Sequence, residues 1–233
     1  MTRNVAQPIR AVIIDLDGTL LDTVPDLSTA ADAMLAEIGR KPLGAGVVRD
    51  LVGKGLPNLV TRCLSATGGS DAELQASALE VFKRHYRACN GRRTMVYSGV
   101  TAGLDAFRRM AMPLGCVTNK AAAFAEPLLE MTGLRGYFSV VVSGDTLPEK
   151  KPHPAPLLHI CRELGVPPHQ AVVIGDSIND VQAARAAGCR VFCVPYGYNE
   201  GRDVRELDCD AIVADLEEAS RLIAPYWGQV YTL

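Results

Sequence analysis

The sequence predicts a doubly wound, Rossmann-like α/β fold with a parallel sheet and an inserted α-helical domain. Three observations lead to this prediction: short apolar runs recur along the chain, helical patterns separate them, and one long interval near the start lacks such runs. Unalternated β-branched runs are typical of strands that helices cover on both faces, as in a parallel sheet. Strands that alternate with helices of this length favour a parallel α/β core.

Six apolar runs are the predicted strands of the sheet. They are AVII at 11–14, LGCVT at 114–118, SVVV at 139–142, AVVI at 171–174, RVFCV at 190–194 and AIV at 211–213. The predicted helices between them are TAGLDAFRRM at 101–110, AEPLLEMTG at 125–133, APLLHICRELG at 155–165 and DVQAARAAG at 180–188. Three of these patterns end in glycine, which commonly terminates a helix in the left-handed conformation.

The interval at residues 22–93 contains no convincing buried strand and shows helical periodicity instead. Its clearest pattern places these apolar residues on one helix face: Leu27, Ala30, Ala31, Met34, Leu35 and Ile38. The glycine-rich segments GAG at 44–46 and VGKGLP at 52–57 are expected to form turns. We therefore predict a helical cap domain at 22–93, inserted into a core that residues 1–21 and 94–233 form.

Charge and composition limit the possible function classes. The 24 basic and 26 acidic residues give a formal net charge of -2, which offers no basic surface for nucleic acid or for an anionic membrane. No apolar run approaches the roughly 20 residues of a transmembrane helix, and the N-terminal segment lacks the apolar middle of a secretory signal. The seven cysteines form no CxxC pair, which argues against a disulfide framework and against zinc. We expect a cytoplasmic protein with reduced thiols.

Two carboxylates, Asp15 and Asp17, follow directly on the first predicted strand. Because ligands of open parallel sheets bind beyond the carboxyl ends of the strands, both side chains are expected to face a crevice there. Two carboxylates this close repel each other unless a positive charge lies between them or one of them holds a proton. The pattern is typical of a metal site, an acid/base pair or both. The alternative is a pair of solvated aspartates on a turn.

The other strand ends also carry polar side chains. Thr118 and Asn119 follow the second strand, where they offer a hydroxyl, an amide and a helix start suited to an anion. Asp176 follows the AVVI strand, and Asp180 begins the next helix. Helix capping alone is the alternative explanation for Thr118 and for the second aspartate pair.

Two lysines, Lys150 and Lys151, precede a proline-rich helix entry between these strand ends. Isolated surface lysines are usually solvated, so this pair alone is weak evidence. Nevertheless, four successive strand ends carry a pair of acids, a hydroxyl, a lysine and a second pair of acids, in that order. Such an ordered set is improbable by chance.

The ordered motifs DLDGTLxD, VTNK, KKPxP and GDSxxD resemble those of the haloacid dehalogenase superfamily. The resemblance covers nearly the whole chain and is to the phosphatase branch, which has a helical cap inserted after the first motif. Within that branch, the segments VGKG, KPHPAPLL and VPYGYNEG are similar to those of phosphoglycolate phosphatases. The resemblance implies a phosphatase that acts on a small phosphorylated acid, with 2-phosphoglycolate as the expected substrate and glycolate and inorganic phosphate as products.

Phosphate ester hydrolysis requires a nucleophile, a proton for the leaving oxygen and positive charge around the phosphoryl group. The resemblance implies that Asp15 is the nucleophile, which forms an aspartyl phosphate. Asp17 would serve as the general acid and then as the general base. Thr118 and the backbone around Asn119 would bind phosphoryl oxygens, and Lys151 would neutralise the developing charge, with Lys150 as the weaker candidate.

A divalent cation, Mg²⁺, is the implied cofactor. Its expected ligands are Asp15, the backbone carbonyl of Asp17 and Asp176, while Asp180 orients these ligands from behind. The cap would read the rest of the substrate, and Lys54, between two glycines, is the candidate donor to a substrate carboxylate. The aromatic loop at 196–199 could border the entrance or pack as an ordinary surface loop.

Several alternatives remain open from the sequence. The substrate could be another phosphomonoester, such as an amino sugar acid phosphate or a hexose phosphate, or the enzyme could be a sugar phosphomutase. A phospho-receiver module is the alternative outside the enzymes, although a receiver has no use for a lid. We expect no nucleic-acid or membrane partner, and a monomer or a homodimer.

Overall fold

A parallel six-stranded sheet forms the centre of the protein, as predicted. The computed structural model describes residues 8–227. The strands of this sheet are β1 (Ala11–Ile14), β4 (Leu114–Val117), β5 (Val140–Val142), β6 (Ala171–Gly175), β7 (Arg190–Cys193) and β8 (Ala211–Ile212). Their order is β5-β4-β1-β6-β7-β8, and every neighbouring pair is parallel. All six predicted strands are confirmed.

A second, antiparallel sheet consists of two short strands, β2 (Leu21–Asp22) and β3 (Met95–Val96). Leu21 pairs with Val96, and Asp22 pairs with Met95. The two strands bracket the predicted helical insertion, so they bring the ends of that insertion together. Sequence reasoning did not identify them, because a run of two residues carries no periodicity.

Nine α-helices surround the sheets within residues 8–227. They are α1 (Val24–Glu37), α2 (Gly44–Arg49), α3 (Leu56–Ala66), α4 (Ala72–Cys89), α5 (Val100–Arg109), α6 (Ala122–Met131), α7 (Ala155–Glu163), α8 (Ile178–Ala187) and α9 (Leu216–Ile223). Short 3₁₀ turns lie at Arg135–Tyr137, Pro168–Gln170, Val204–Glu206 and Ala224–Tyr226. None of the helices in this part of the chain is long and apolar enough to span a bilayer.

Helices cover both faces of the large sheet, which is the doubly wound arrangement. On one face Val12 and Ile14 belong to a core that includes residues of α5, α6 and α9. On the other face Ile13 packs in a core with residues of α7 and α8. Adjacent residues of β1 therefore face opposite layers, as strand geometry requires. Burial on both faces explains why the predicted strands read as continuous apolar runs.

Helices α1 to α4, here called the insertion helices, share a hydrophobic cluster that Phe124 of α6 and Tyr198 also join. The predicted face of α1 is confirmed, since Leu27, Ala30, Ala31, Met34 and Leu35 are all buried in that cluster. The GAG segment at 44–46, which we expected to be a turn, instead begins α2. Asp32 explains the difference, because its Oδ1 accepts hydrogen bonds from the backbone amides of Leu43 and Gly44 at the start of that helix.

Candidate active site

A small cavity of about 40 Å³ lies between the carboxyl edge of the sheet and helices α1 and α3. Parallel strands place their carboxyl ends at one edge, so residues that are distant in sequence meet there. Six of the residues singled out from the sequence line the cavity: Asp15, Asp17, Thr118, Asn119, Lys151 and Asp176. Asp180 lies directly behind them, in contact with Lys151. Lys54 is not among the residues that line the cavity.

The three carboxylates of Asp15, Asp176 and Asp180 form a tight cluster. Each offers an oxygen that lies within 4.8 Å of the others. Burial, opposed by the positive charge of Lys151, raises the pKa of Asp15 to about 7. Burial and the negative charges of Asp15 and Asp180 also raise the pKa of Asp176 well above its usual range. The cluster therefore has more buried negative charge than one lysine compensates.

A hard divalent cation fits this donor set. Oxygen ligands from carboxylates are those that Mg²⁺ and Ca²⁺ prefer, and a bound cation would relieve the repulsion within the cluster. Asp176 is already oriented for such a role, because its Oδ1 accepts from the Thr19 hydroxyl at 2.9 Å and its Oδ2 from the Tyr198 amide at 2.5 Å. The three acids thus form a group that could hold a metal ion.

Lys151, rather than Lys150, is the lysine that reaches the acid cluster. Its Nζ lies 2.8 Å from Oδ1 of Asp15, 2.7 Å from Oδ1 of Asp180 and 2.9 Å from the carbonyl oxygen of Val117. Burial acts to lower the pKa of Lys151, but the charges of Asp15 and Asp180 outweigh burial and raise it. Lys151 is therefore a fixed cation beside the candidate nucleophile.

Asp17 has a cation of its own, which the sequence analysis did not assign to the site. The Nζ of Lys120 lies 2.9 Å from Oδ1 of Asp17, and the hydroxyl of Thr23 donates to the same oxygen at 2.6 Å. Lys120 is almost fully buried, and its ammonium lies 5.1 Å from the ring centroid of Tyr86 in α4. The signal for Lys120 was present in the VTNK motif, one residue after Asn119.

Thr118 and Asn119 lie at the end of β4, facing the cavity. The Asn119 side chain is fully engaged: Nδ2 donates to the carbonyl oxygens of Gly53 and Lys151, and Oδ1 accepts from the amide of Lys151. This side chain therefore joins the segment before α3 to the lysine loop. A contact of Asn119 with a bound anion would have to come from its backbone, as the sequence analysis proposed.

Asp180 caps α8 and holds Lys151 at the same time. It completes a capping box in which Oδ2 accepts from the amide of Ser177 at 3.2 Å and from the Ser177 hydroxyl at 2.7 Å. The partner of Asp180 in this cap is Ser177, not Asp176 as the predicted capping pair had it. The role of Asp180 in orienting the metal ligands stays a prediction.

Lys54 lies at the rim, with its side chain 44% exposed, and its Nζ is 3.5 Å from Oε1 of Glu200. Arg62 contacts the same carboxylate oxygen at 3.1 Å. These two ion pairs connect the insertion helices to the loop that follows β7.

The aromatic loop at 196–199 is a packed part of the site. Tyr198 is buried and lines the cavity, and its hydroxyl donates to Oδ1 of Asp22 and accepts from the amide of Thr23. The hydroxyl of Tyr196 donates to the carbonyl oxygen of Thr19 at 2.9 Å. Gly197 is required here, because a Cβ at this position would overlap the carboxylate of Asp176.

Comparison with known proteins identifies the family. A sequence model of the haloacid dehalogenase-like hydrolases matches residues 9–188, which is more than half of the chain. The chain belongs to this family. As a haloacid dehalogenase-like hydrolase it is an enzyme, and the predicted resemblance is confirmed.

Individual relatives agree with this assignment. A phosphoglycolate phosphatase from Nitrosospira multiformis is 54% identical over 218 residues, which cover 93% of this chain and 96% of the relative. One from Thiobacillus denitrificans is 51% identical and covers 93% of this chain and 96% of the relative. Among solved structures, one described as a predicted phosphoglycolate phosphatase from Haemophilus somnus superposes with a TM-score of 0.88 at 29% identity. It covers 92% of this chain and 97% of its own.

Proposed function

We propose that this hydrolase is a Mg²⁺-dependent phosphatase that converts 2-phosphoglycolate to glycolate and inorganic phosphate. The observation that carries the proposal is the placement of two aspartates after β1, each beside its own buried lysine, in one cavity. The curated relatives named phosphoglycolate phosphatase support the choice of substrate.

The proposed enzyme has the two domains that the sequence predicts. Residues 1–21 and 94–233 form the phosphatase core, and residues 22–93 form the cap that covers the cavity. Most of one hydrophobic cluster comes from the insertion helices, and this cluster and the β2–β3 pairing at the ends of the insertion support this division. The first seven and last six residues of the core lie outside the described residues.

Asp15 is the proposed nucleophile. One carboxylate oxygen of Asp15 attacks phosphorus, the bond from phosphorus to the glycolate oxygen breaks, and an aspartyl phosphate remains. Lys151 neutralises charge on the reacting group, since its Nζ lies 2.8 Å from Oδ1 of Asp15. Thr118 and the backbone around Asn119 would hold the phosphoryl oxygens in line for this attack.

Asp17 is the proposed general acid and base. It gives a proton to the departing glycolate oxygen, then removes one from the water that attacks phosphorus and releases Asp15. Lys120 and Thr23 both contact Oδ1 of Asp17, which leaves the other carboxylate oxygen for proton transfer.

Mg²⁺ is the proposed cofactor, held by the carboxylates of Asp15 and Asp176 and by the backbone carbonyl of Asp17. When bound, Mg²⁺ neutralises negative charge on the phosphoryl oxygens and on the acid cluster. Asp180 stays behind this set, where it orients Lys151.

The cap would exclude bulk water and recognise the rest of the substrate. Lys54 remains a candidate donor to the substrate carboxylate, provided that its ion pair with Glu200 opens. The proposed partners are limited to a small phosphorylated metabolite, with no nucleic acid and no membrane. The cytoplasmic location and a monomeric or homodimeric state are part of the same proposal.

The test is phosphate release from a panel of 2-phosphoglycolate, hexose phosphates and amino sugar acid phosphates, with Mg²⁺ and with a chelator. We expect strong preference for 2-phosphoglycolate, and loss of activity on chelation. Isomerised sugar phosphate without phosphate release would indicate a phosphomutase instead. A long-lived acyl phosphate with no turnover of any ester would indicate a phospho-receiver module.

A further inference from the structure

We propose that the start of helix α3 and the side-chain amide of Asn179 form the subsite for the carboxylate of the substrate. The inference rests on the proposed function and adds a receptor for the end of the substrate that does not react. Asn179 occupies one of the two variable positions of the GDSxxD motif, and the roles proposed above use only the aspartates of that motif.

Helix α3 begins at the cavity. No side chain among the described residues caps the start of this helix. Gly55 precedes its first residue, Leu56, and both line the cavity. The first N–H groups of a helix have no partner within the helix, and the helix dipole gives that end a partial positive charge. In α3 the second residue is Pro57, which has no N–H, so the donors of the first turn are the amides of Leu56 and Asn58. An anion satisfies both features, which is why carboxylates and phosphates bind at such ends.

Glycine is required where this helix start approaches the core. Gly55 has a φ of 81°, and a Cβ there would lie 3.1 Å from the carbonyl oxygen of Asn119. Gly53 has a φ of 132°, and a Cβ there would lie 3.2 Å from Nδ2 of Asn179. The two glycines therefore allow backbone, rather than side chains, to face the cavity.

Asn179 provides the independent observation that a ligand belongs here. The residue is only 2% exposed and lines the cavity. Neither Nδ2 nor Oδ1 of Asn179 has a hydrogen-bond partner anywhere in residues 8–227. Buried amides in folded proteins are almost always hydrogen-bonded, because an unpaired one loses its interactions with water and gains nothing in exchange. A substrate oxygen at this point would supply the missing partner to Nδ2.

Three nearby lysines already pair with carboxylates of the protein, which favours this subsite for the second negative group of the substrate. Lys120 contacts Asp17, Lys151 contacts Asp15 and Asp180, and Lys54 contacts Glu200 at the rim. Lys150 brings positive charge close to Gly55. A Cβ added at that glycine would lie 3.6 Å from the Nζ of Lys150. The potential at the α3 start is thus suited to a carboxylate.

The side-chain amide of Asn179 could serve the phosphoryl group instead, and substrate analogues separate the two possibilities. Ethyl phosphate carries the same phosphoryl group as 2-phosphoglycolate but no carboxylate. A carboxylate receptor affects only 2-phosphoglycolate, whereas a phosphoryl receptor affects both esters equally. Inhibition by the two products, glycolate and inorganic phosphate, gives the same separation without turnover.

The experiment measures kcat/KM for both esters in the wild type, Asn179→Ala, the near-isosteric Asn179→Asp and the comparison variant Lys54→Met. We expect both Asn179 variants to lower the ratio of kcat/KM for 2-phosphoglycolate to that for ethyl phosphate by about 10-fold or more, as for a lost hydrogen bond to a charged group. Asn179→Asp should have the larger effect, because it adds a negative charge. The inhibition constant for glycolate should rise, and that for inorganic phosphate should stay the same.

Three results would overturn the subsite. They are a parallel loss on both esters, an unchanged ratio in the Asn179 variants, and a fall of the ratio in Lys54→Met alone. A wild type that does not hydrolyse 2-phosphoglycolate overturns the proposed function as well. If the wild type prefers 2-phosphoglycolate and the Asn179 variants keep that preference, only the subsite is overturned.

Discussion

The ammonium of Lys120 lies 2.9 Å from Oδ1 of Asp17, at the centre of the candidate active site. Lys120 follows β4 and Asp17 follows β1, so the contact joins two neighbouring strand ends. The ring of Tyr86 from α4 covers the same ammonium. The negative charge of Asp17 and the contact with Tyr86 overcome burial and raise the pKa of Lys120, which therefore stays charged at neutral pH. The candidate acid/base residue is thus held by a permanent cation beneath an aromatic residue of the insertion helices.

Replacement of Lys120 tests this arrangement. We expect Lys120→Met to lower kcat by about 10²-fold, because Asp17 loses the cation that orients it and the acid/base step contributes on that order. The measurement is steady-state phosphate release from 2-phosphoglycolate across a range of pH. Lys83→Met is the matched control, since Lys83 pairs with Glu80 on α4 and does not line the cavity. Unchanged kcat and an unchanged pH profile in Lys120→Met would rule out the positioning role.

Arg49 provides a second test, of the contact between the insertion helices and the loop after β7. Its Nη2 donates to the carbonyl oxygens of Tyr196 at 2.6 Å and Gly197 at 2.8 Å, and the amide of the next residue, Tyr198, holds Asp176. We expect Arg49→Met to raise KM by about 10-fold, because the insertion helices then lose their hydrogen bonds to this loop when they cover the cavity. The size of the effect is that of lost hydrogen bonds from a charged group.

Hydrogen exchange gives an independent measure of the same contact. Amide exchange in residues 194–201 should become faster in Arg49→Met, because the loop loses its anchor. Arg87→Met, on the exposed side of α4, is the control and should match the wild type. The same KM and the same exchange rates in Arg49→Met and the wild type would refute the anchoring role.

Asp26 is expected to contribute strongly to stability. It is fully buried in α1, and its carboxylate accepts from the amides of Gly91, Arg93 and Thr94 and from the Thr94 hydroxyl. Asp26→Asn places an NH₂ group against these donors, so the free energy of unfolding should fall by about 3 kcal/mol, measured by urea denaturation.

Asp145→Asn is the control for Asp26. Asp145 is exposed and accepts one backbone hydrogen bond, from Ala122, which an asparagine oxygen can also accept. Its free energy of unfolding should change by less than about 0.5 kcal/mol. A loss below about 1 kcal/mol in Asp26→Asn would show that the buried carboxylate is not a major link between α1 and residues 91–94.

Metal binding should be visible without turnover. We expect Mg²⁺ to raise the midpoint of thermal unfolding, because it relieves repulsion among Asp15, Asp176 and Asp180 only in the folded state. Saturation at about 100 times Kd corresponds to about 2.7 kcal/mol. Asp176→Asn should abolish the shift, and Asp105→Asn, which changes a half-buried carboxylate on α5 away from the cavity, should retain it. A full shift in Asp176→Asn, or none in the wild type, would contradict the proposed metal site.

Residues that directly follow strands were correctly predicted to lie close together. Asp15, Thr118 and Asp176 each come directly after a local apolar run, and parallel strands bring such positions to one edge. The runs are visible in the sequence because burial on both faces requires continuous apolar residues. Lys151 could be preferred over Lys150 only through its place in the family motif.

The residues that escaped prediction depend on contacts between distant segments. Tyr86 of α4 packs over the ammonium of Lys120, and no local sequence pattern predicts that contact. The side-chain amide of Asn179 is buried without a hydrogen-bond partner among residues 8–227, which depends on how the chain folds around it. The carbonyl oxygens that receive Arg49 lie about 150 residues away in the chain. Local periodicity does not report such pairs, so they require the folded structure.

The most direct test of the central claim is the mass of the Asp15 peptide after rapid acid quench of the wild-type enzyme with 2-phosphoglycolate and Mg²⁺. Nucleophilic attack by Asp15 predicts a transient mass increase of one phosphoryl group on the peptide that contains this residue. The increase should be absent in Asp15→Asn, whose phosphate release should also be lost. Full turnover by Asp15→Asn, or a phosphoryl group on a peptide that lacks residue 15, would contradict the account.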